Sequence, residues 1–137
     1  MTSKAGNPRV IGPGFWASWH IRTLKYTKRE DKILIKKIIE WDIFNFPCME
    51  CRGHAMEYLA GHPIVIDDRP HSLFQWTVDF HNTVNMRLGK DYIEYEDAKK
   101  LWSGENVCLE DCGEETPVDL SATTREKDKG GYVYSTY

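Results

Sequence analysis

Pro47-Cys48-Met49-Glu50-Cys51-Arg52-Gly53-His54 decides how the rest of this chain is read. Proline fits the first turn of a helix, where its missing N–H costs nothing. The helix it opens is expected to carry Cys48 through Ala60 and to stop at Gly61-His62-Pro63. At a helix start, the dipole and the unpaired N–H groups favour a thiolate on either cysteine. Two cysteines so spaced close a strained, easily reduced disulfide, or else bind a metal. The pair alone leaves both chemistries open, along with the blander one of two small buried hydrophobes.

Outward from this helix the chain reads as more helices. Phe15-Trp16-Ala17-Ser18-Trp19-His20-Ile21-Arg22-Thr23-Leu24 has helical spacing, with Trp16, His20 and Thr23 on one face, and Pro13-Gly14 sits where that helix is expected to start. After Thr27-Lys28-Arg29-Glu30-Asp31, a second helix carries the apolar stripe Ile35, Ile39, Ile43 and Phe46. Leu34, Ile38 and Trp41 form a neighbouring stripe. Two stripes are broader than one core contact needs, which points to a partner subunit. Ile64-Val65-Ile66 is cut short by Asp67-Asp68-Arg69-Pro70 and is expected to be a loop. Ser72 is expected to cap a fourth helix running to Leu88 with Gly89 as its stop, and Tyr95–Trp102 reads as a short fifth helix ended by Gly104.

The chain has 137 residues, 41% hydrophobic and 28% charged, with a net charge of −3. That frame describes one ordinary globular domain and gives no electrostatic case for nucleic acid or an anionic membrane. No apolar run approaches the ~20 residues that span a bilayer, and Met1–Arg9 has no apolar core of a signal peptide. The cysteines fall in two close pairs, Cys48/Cys51 and Cys108/Cys112. Such short loops gain little from cross-linking, so chemistry is the better reading of both. From Gly113 onward, charged residues interspersed with Ser, Thr and Gly read as a flexible tail. Alternating strands and a glycine-rich phosphate loop are missing, which argues against a dinucleotide fold of the Rossmann type and a thioredoxin-like reductant.

A companion to the cysteine helix lies in His81-Asn82-Thr83-Val84-Asn85, closing with Leu88-Gly89-Lys90. A lone histidine on an amphipathic helix is usually a satisfied structural residue. Two asparagines beside it on an apolar helix need polar partners, which an adenine, a ribose or a phosphate would provide. Lys90 would meet a pyrophosphate as a point charge. Trp16, His20, Tyr26, Trp76 and Trp102 offer flat surfaces, each of which taken singly reads as core. A zinc site of Cys48, Cys51, His54 and His81 is the rival reading. It leaves Asn82, Asn85 and Lys90 without a task.

Taken in order, Trp16-x-x-x-His20, Pro47-Cys48-x-x-Cys51-x-x-His54, Trp76-x-x-x-x-His81-Asn82-x-Val84-Asn85-x-x-Leu88-Gly89-Lys90 and Trp102 resemble the Erv/ALR family of FAD-linked sulfhydryl oxidases. The match runs from about Gly12 to Gly104, and the short form is similar to versions encoded by large cytoplasmic DNA viruses. The resemblance implies an all-α fold, a four-helix bundle with a short fifth helix across it, gripping FAD at one end, usually as a homodimer. It implies an N-terminal extension at 1–11, the FAD-binding domain at 12–104 and a tail at 105–137. Cys51 is implied to lie against the flavin and Cys48 to be the outer, attackable sulfur. Gly14, Trp16, His20, Tyr26, His54, Trp76, His81, Asn82, Val84, Asn85, Lys90 and Trp102 match positions lining the FAD pocket, and no metal is implied. Cys108 and Cys112 would form a shuttle disulfide. The implied reaction oxidises protein dithiols and passes their electrons through Cys48/Cys51 and FAD to molecular oxygen, giving hydrogen peroxide. The expected compartment is the host cytoplasm or virion if viral, and the mitochondrial intermembrane space if cellular. Cellular members commonly join the third helix to the fifth by a further disulfide. Leu59 and Tyr95 stand near those positions here, leaving Tyr92, Tyr95 and Trp102 to hold that corner by packing.

Overall fold

Five helices, α1 (Pro8–Lys25), α2 (Arg29–Phe44), α3 (Met49–Gly61), α4 (Ser72–Arg87) and α5 (Tyr95–Trp102), make up the computed structural model, which describes residues 7–104. Among the described residues there is no strand, so the chain is all-α, and Ile64-Val65-Ile66 lies in the α3–α4 loop. The expected tail and the Cys108/Cys112 pair lie outside the described residues.

Three helix starts differ from the sequence reading, each for a local reason. α1 begins before Pro13-Gly14, because Asn7 caps it by accepting from the Arg9 N–H at 2.9 Å and Pro8 takes the first helical position. Pro13 is then inside the helix. The carbonyl it leaves without a helical donor belongs to exposed Arg9, at the solvent face. At α3, Pro47 stays outside the helix and Cys48 itself is the N-cap. At α4, His71 holds the cap position and Ser72 is the first helical residue, its hydroxyl donating back to the Arg69 carbonyl at 3.2 Å. The far end of α4 closes as read. Gly89 adopts φ +73°, and the Lys90 and Gly89 amides donate to the Asn85 and Met86 carbonyls at 2.7 and 3.3 Å.

α1 packs against α4, α5 and α2, while α2 also packs on α3. α4 divides the core because its apolar residues point two ways. Leu73 and Phe80 join Trp19, Ile35, Ile39, Ile43 and Ile64 in one cluster. Phe74 and Val78 join Ala98 and Trp102 in the other. Fully buried side chains such as Ile39 and Phe74 contribute about 1.5–3 kcal/mol each. Trp19 Nε1 donates to Asp42 Oδ2 at 2.8 Å, tying α1 to α2. The buried Lys32 on α2 donates from Nζ to the carbonyls of Asp67 and Arg69 at 2.6 and 2.9 Å, which pins the α3–α4 loop.

The two stripes on α2 separate in part. Ile35, Ile39 and Ile43 are in the core, but Phe46 lies half-buried beyond the end of the helix. Of the second stripe Leu34 and Trp41 are exposed and Ile38 is half-buried, with Phe44 exposed near them. At the α5 corner, Tyr95 meets Phe74 at 5.7 Å between ring centroids and Trp102 is buried. Tyr92 takes no part there, being 57% exposed in the loop before α5.

Candidate active site

Both thiols are free and half-buried at the start of α3. The Cys48 sulfur accepts from the Cys51 N–H at 3.3 Å, doing for this helix what a serine or aspartate oxygen does for others. The two sulfurs therefore differ in acidity. The hydrogen bonds from the Cys51 thiol and amide hold Cys48 below the usual thiol range. Burial, followed by the hydrogen bond to Cys48 and the charge on it, pushes Cys51 up to about 11, with the Arg87 guanidinium of α4 acting the other way. The dithiol thus carries its negative charge on the outer sulfur.

α1, α4 and α5 bring together a stack of flat side chains. Trp16 lies parallel to His81, with 4.0 Å between ring centroids and 4° between planes. His20 stacks on His81 at 5.0 Å, and Trp102 tilts over His20 at 5.1 Å. His20 and His81 are 0% and 2% exposed, so their polar atoms are paired inside the protein. His20 Nε2 meets His81 Nδ1 at 2.8 Å and His20 Nδ1 meets Thr77 Oγ1 at 3.0 Å. Burial first and the neighbouring His81 second hold the His20 pKa well below the ordinary imidazole value, so His20 is neutral.

The asparagines find partners that the sequence reading did not foresee. Asn82 donates from Nδ2 to the Ile93 carbonyl at 2.8 Å and accepts from the Ile93 N–H at 3.0 Å, bracketing the approach to α5. Asn85 Nδ2 donates to the Asp91 carbonyl at 3.4 Å. Together with the glycine cap of α4, these bonds set the course of Lys90-Asp91-Tyr92-Ile93. Lys90 is exposed at the head of that loop. Val84 packs half-buried against the first core cluster. No protein atom comes within 4 Å of where a Cβ on Gly14 would stand. One turn after Cys51, His54 has Nδ1 buried with no hydrogen-bond partner.

Two of the candidates stand apart from this assembly. Tyr26 caps the end of α1, 45% exposed, with the Lys25 ammonium 5.4 Å from its ring centre. Trp76 donates to the His62 carbonyl at 2.7 Å and packs on Tyr58 and Phe80. It lines a groove of about 240 Å3 with Pro63, Ile64, Asp67, Arg69 and Gln75, near the end of α3 opposite the cysteines. Nor do the four zinc candidates converge, since no group of three His, Cys, Asp or Glu able to hold a metal exists among the described residues. The sequence reading missed Thr77 and Arg87. Thr77 sits one turn before His81 on the same face, a spacing that was there to be used. Arg87 carried no signal, because its influence on Cys51 exists only once α3 lies beside α4.

A sequence model of the Erv1 / Alr family matches residues 13–103. An FAD-linked sulfhydryl oxidase of African swine fever virus (isolate Pig/Kenya/KEN-50/1950) is 33% identical over 95 residues, 66% of this chain and 78% of that protein. The FAD-linked sulfhydryl oxidase ERV1 of Arabidopsis thaliana is 28% identical over 119 residues, 85% of this chain and 59% of its own length.

Proposed function

This chain belongs to the Erv1 / Alr family, and from that premise we propose that it is an FAD-linked sulfhydryl oxidase that forms disulfides in protein thiols. The observation that carries the reading is the capped Cys48 with Cys51 one helical turn behind it, in a family whose relatives bear that activity in their names. The residues present suit a flat cofactor with hydrogen-bonding groups. Trp16 is half-buried against the histidine stack, and His54 keeps a buried Nδ1 unmatched within the protein. Trp16, His20, His54, His81, Val84, Asn85, Lys90 and Trp102 would hold FAD, with Gly14 leaving room for it. Tyr26, Trp76 and Asn82 belong to the same proposed set, Trp76 reaching it through Phe80, which packs on Trp16. The chemistry FAD supplies when bound is acceptance of two electrons from the dithiol and their passage to molecular oxygen as hydrogen peroxide.

The chain's own residues perform the thiol exchange. A substrate thiolate attacks Cys48 of the Cys48–Cys51 disulfide, forming a substrate–Cys48 bond and expelling Cys51 as a thiolate. A second substrate thiolate attacks the sulfur joined to Cys48. The substrate disulfide forms, Cys48 leaves, and both electrons now reside on the Cys48/Cys51 pair. During the mixed disulfide, Cys48 is neutral and holds no hydrogen for Cys51. Two of the causes that raise Cys51 in the dithiol are therefore gone, while Arg87 continues to favour its charge. The sequence of events lowers the Cys51 pKa at the stage when it must hold a negative charge.

Cys108/Cys112 as a shuttle, the domain at 12–104 and dimerisation through the Leu34, Ile38 and Trp41 stripe of α2 are parts of the same proposal. So is a site of action in the host cytoplasm or virion, or in the intermembrane space. No helix among the described residues is long and apolar enough to cross a membrane. The test is oxygen consumption by the purified chain with a dithiol, alongside its visible spectrum. A yellow protein that consumes oxygen with wild-type Cys48 and not with Cys48→Ser is expected. A colourless, zinc-containing protein would overturn the proposal.

A further inference from the structure

Cys48 is at once the outer sulfur of the pair and the N-cap of α3, with extended backbone angles of φ −82° and ψ 114°. The Arg52 amide makes the first bond internal to this helix, donating to the Cys48 carbonyl at 2.9 Å. The Cys51 amide before it has the Cys48 sulfur as its acceptor, 3.3 Å away. Hydrogen bonds from the Cys51 thiol, the Cys51 amide and the Glu50 amide hold Cys48 below the usual thiol range. Packing does little to steady this turn, because α3 buries none of its residues. The strength of the sulfur bond depends on the charge of its acceptor. In the dithiol the outer sulfur is negative, which a helix start favours. In the disulfide it is neutral, bonded to a second sulfur and a weak acceptor.

We infer that Cys48 is a redox-dependent cap, strong in the dithiol and weak in the disulfide, so that the first turn of α3 tightens as the pair receives electrons. Resting on the thiol exchange above, this cap adds to the driving force of the reaction. The new bond of the substrate disulfide forms as the Cys48–Cys51 bond breaks. Two electrons and two protons leave the substrate thiols. Both electrons pass to the pair, Cys51 keeps one proton, and the other goes to solvent, leaving Cys48 as the charged cap. Whatever stabilises the dithiol over the disulfide makes the disulfide a stronger oxidant. A side-chain cap changes an equilibrium by roughly fivefold, and that factor raises the reduction potential of the pair by about 20 mV.

Hydrogen exchange at the Cys51 amide of the full chain reads the cap directly. This measurement does not depend on oxidase activity, so a failed cap and a failed oxidase assignment are separate results. The disulfide state is taken as purified and the dithiol state after excess reductant under nitrogen, each verified by mass spectrometry. In the wild type, exchange is expected to be roughly fivefold slower in the dithiol than in the disulfide. Equal rates in the two states overturn the proposal. Cys48→Ser supplies a hydroxyl cap that reduction cannot change, and its Cys51 amide is expected to exchange slowly under both conditions. Cys48→Ala has no cap, and fast exchange is expected under both. If reductant slows exchange in either variant as much as in the wild type, the effect arises elsewhere in the chain and the proposal fails. Should a variant not fold, the wild-type comparison still decides the question.

Discussion

α3 and α4 meet through Tyr58, which stacks on Phe80, and are built in opposite ways. α4 buries eight residues, four of them polar: Thr77, His81, Asn82 and Asn85. α3 buries none, although it carries both reactive sulfurs. Burying a polar side chain costs free energy unless each of its groups is paired, so α4 has its polar side chains held by hydrogen bonds. α3 has few such constraints, and Cys48 stays open to a macromolecular thiol. The proposed recognition residues crowd the dense helix and the proposed reactive sulfurs stand at the head of the shallow one.

The largest expected effect falls on the shallow helix. Cys48→Ser and Cys51→Ser each abolish dithiol-driven oxygen consumption while the flavin spectrum persists, because α3 contributes chemistry and little stability. Loss of the flavin along with activity would break the contrast between the helices. On α4, Asn82→Ala should cost about 2 kcal/mol in denaturant unfolding, since the Ile93 N–H and carbonyl both lose a partner. Faster hydrogen exchange at the Ile93 amide should accompany it.

A subtler effect links the two helices. Cys48→Ser removes two of the causes that raise Cys51, so its pKa falls below about 11 and alkylation of Cys51 at pH 8 speeds up. Arg87→Gln removes a lowering influence and slows the same reaction. An Arg87→Gln pH profile identical to that of the wild type would show that α4 does not act on the Cys51 charge. The smallest effect is reserved for Met49, 78% exposed between the sulfurs, where Met49→Ala should change stability by under about 0.5 kcal/mol.

The elements were legible in the sequence wherever periodicity or a cap dictated them. Ile35, Ile39 and Ile43 are buried as their spacing requires, and Tyr95–Trp102 has the expected bounds. Pro13-Gly14 misled because a proline near a helix start looks like the start itself, and the Asn7-Pro8 pair ahead of it is the stronger signal. Family-like positions named Trp16, His20, His81 and Trp102, which the fold gathers into one stack. The same pattern named Asn82 as a cofactor contact. The structure adds a second task for Asn82, which holds the Ile93 N–H and carbonyl, and a position in a pattern does not announce such a loop contact. Arg87 acts on Cys51 only once folding brings the two helices together, and spacing along one helix does not encode that distance.

Lys32 has a practical consequence of another kind. Its amine is enclosed by α2 and the carbonyls of Asp67 and Arg69, whereas most amines of a folded protein meet the solvent. An acylating reagent should therefore modify Lys32 last among the described lysines, at the rate with which the α3–α4 loop lifts away. Mass spectrometry of that single position would give the protein a built-in clock for local opening.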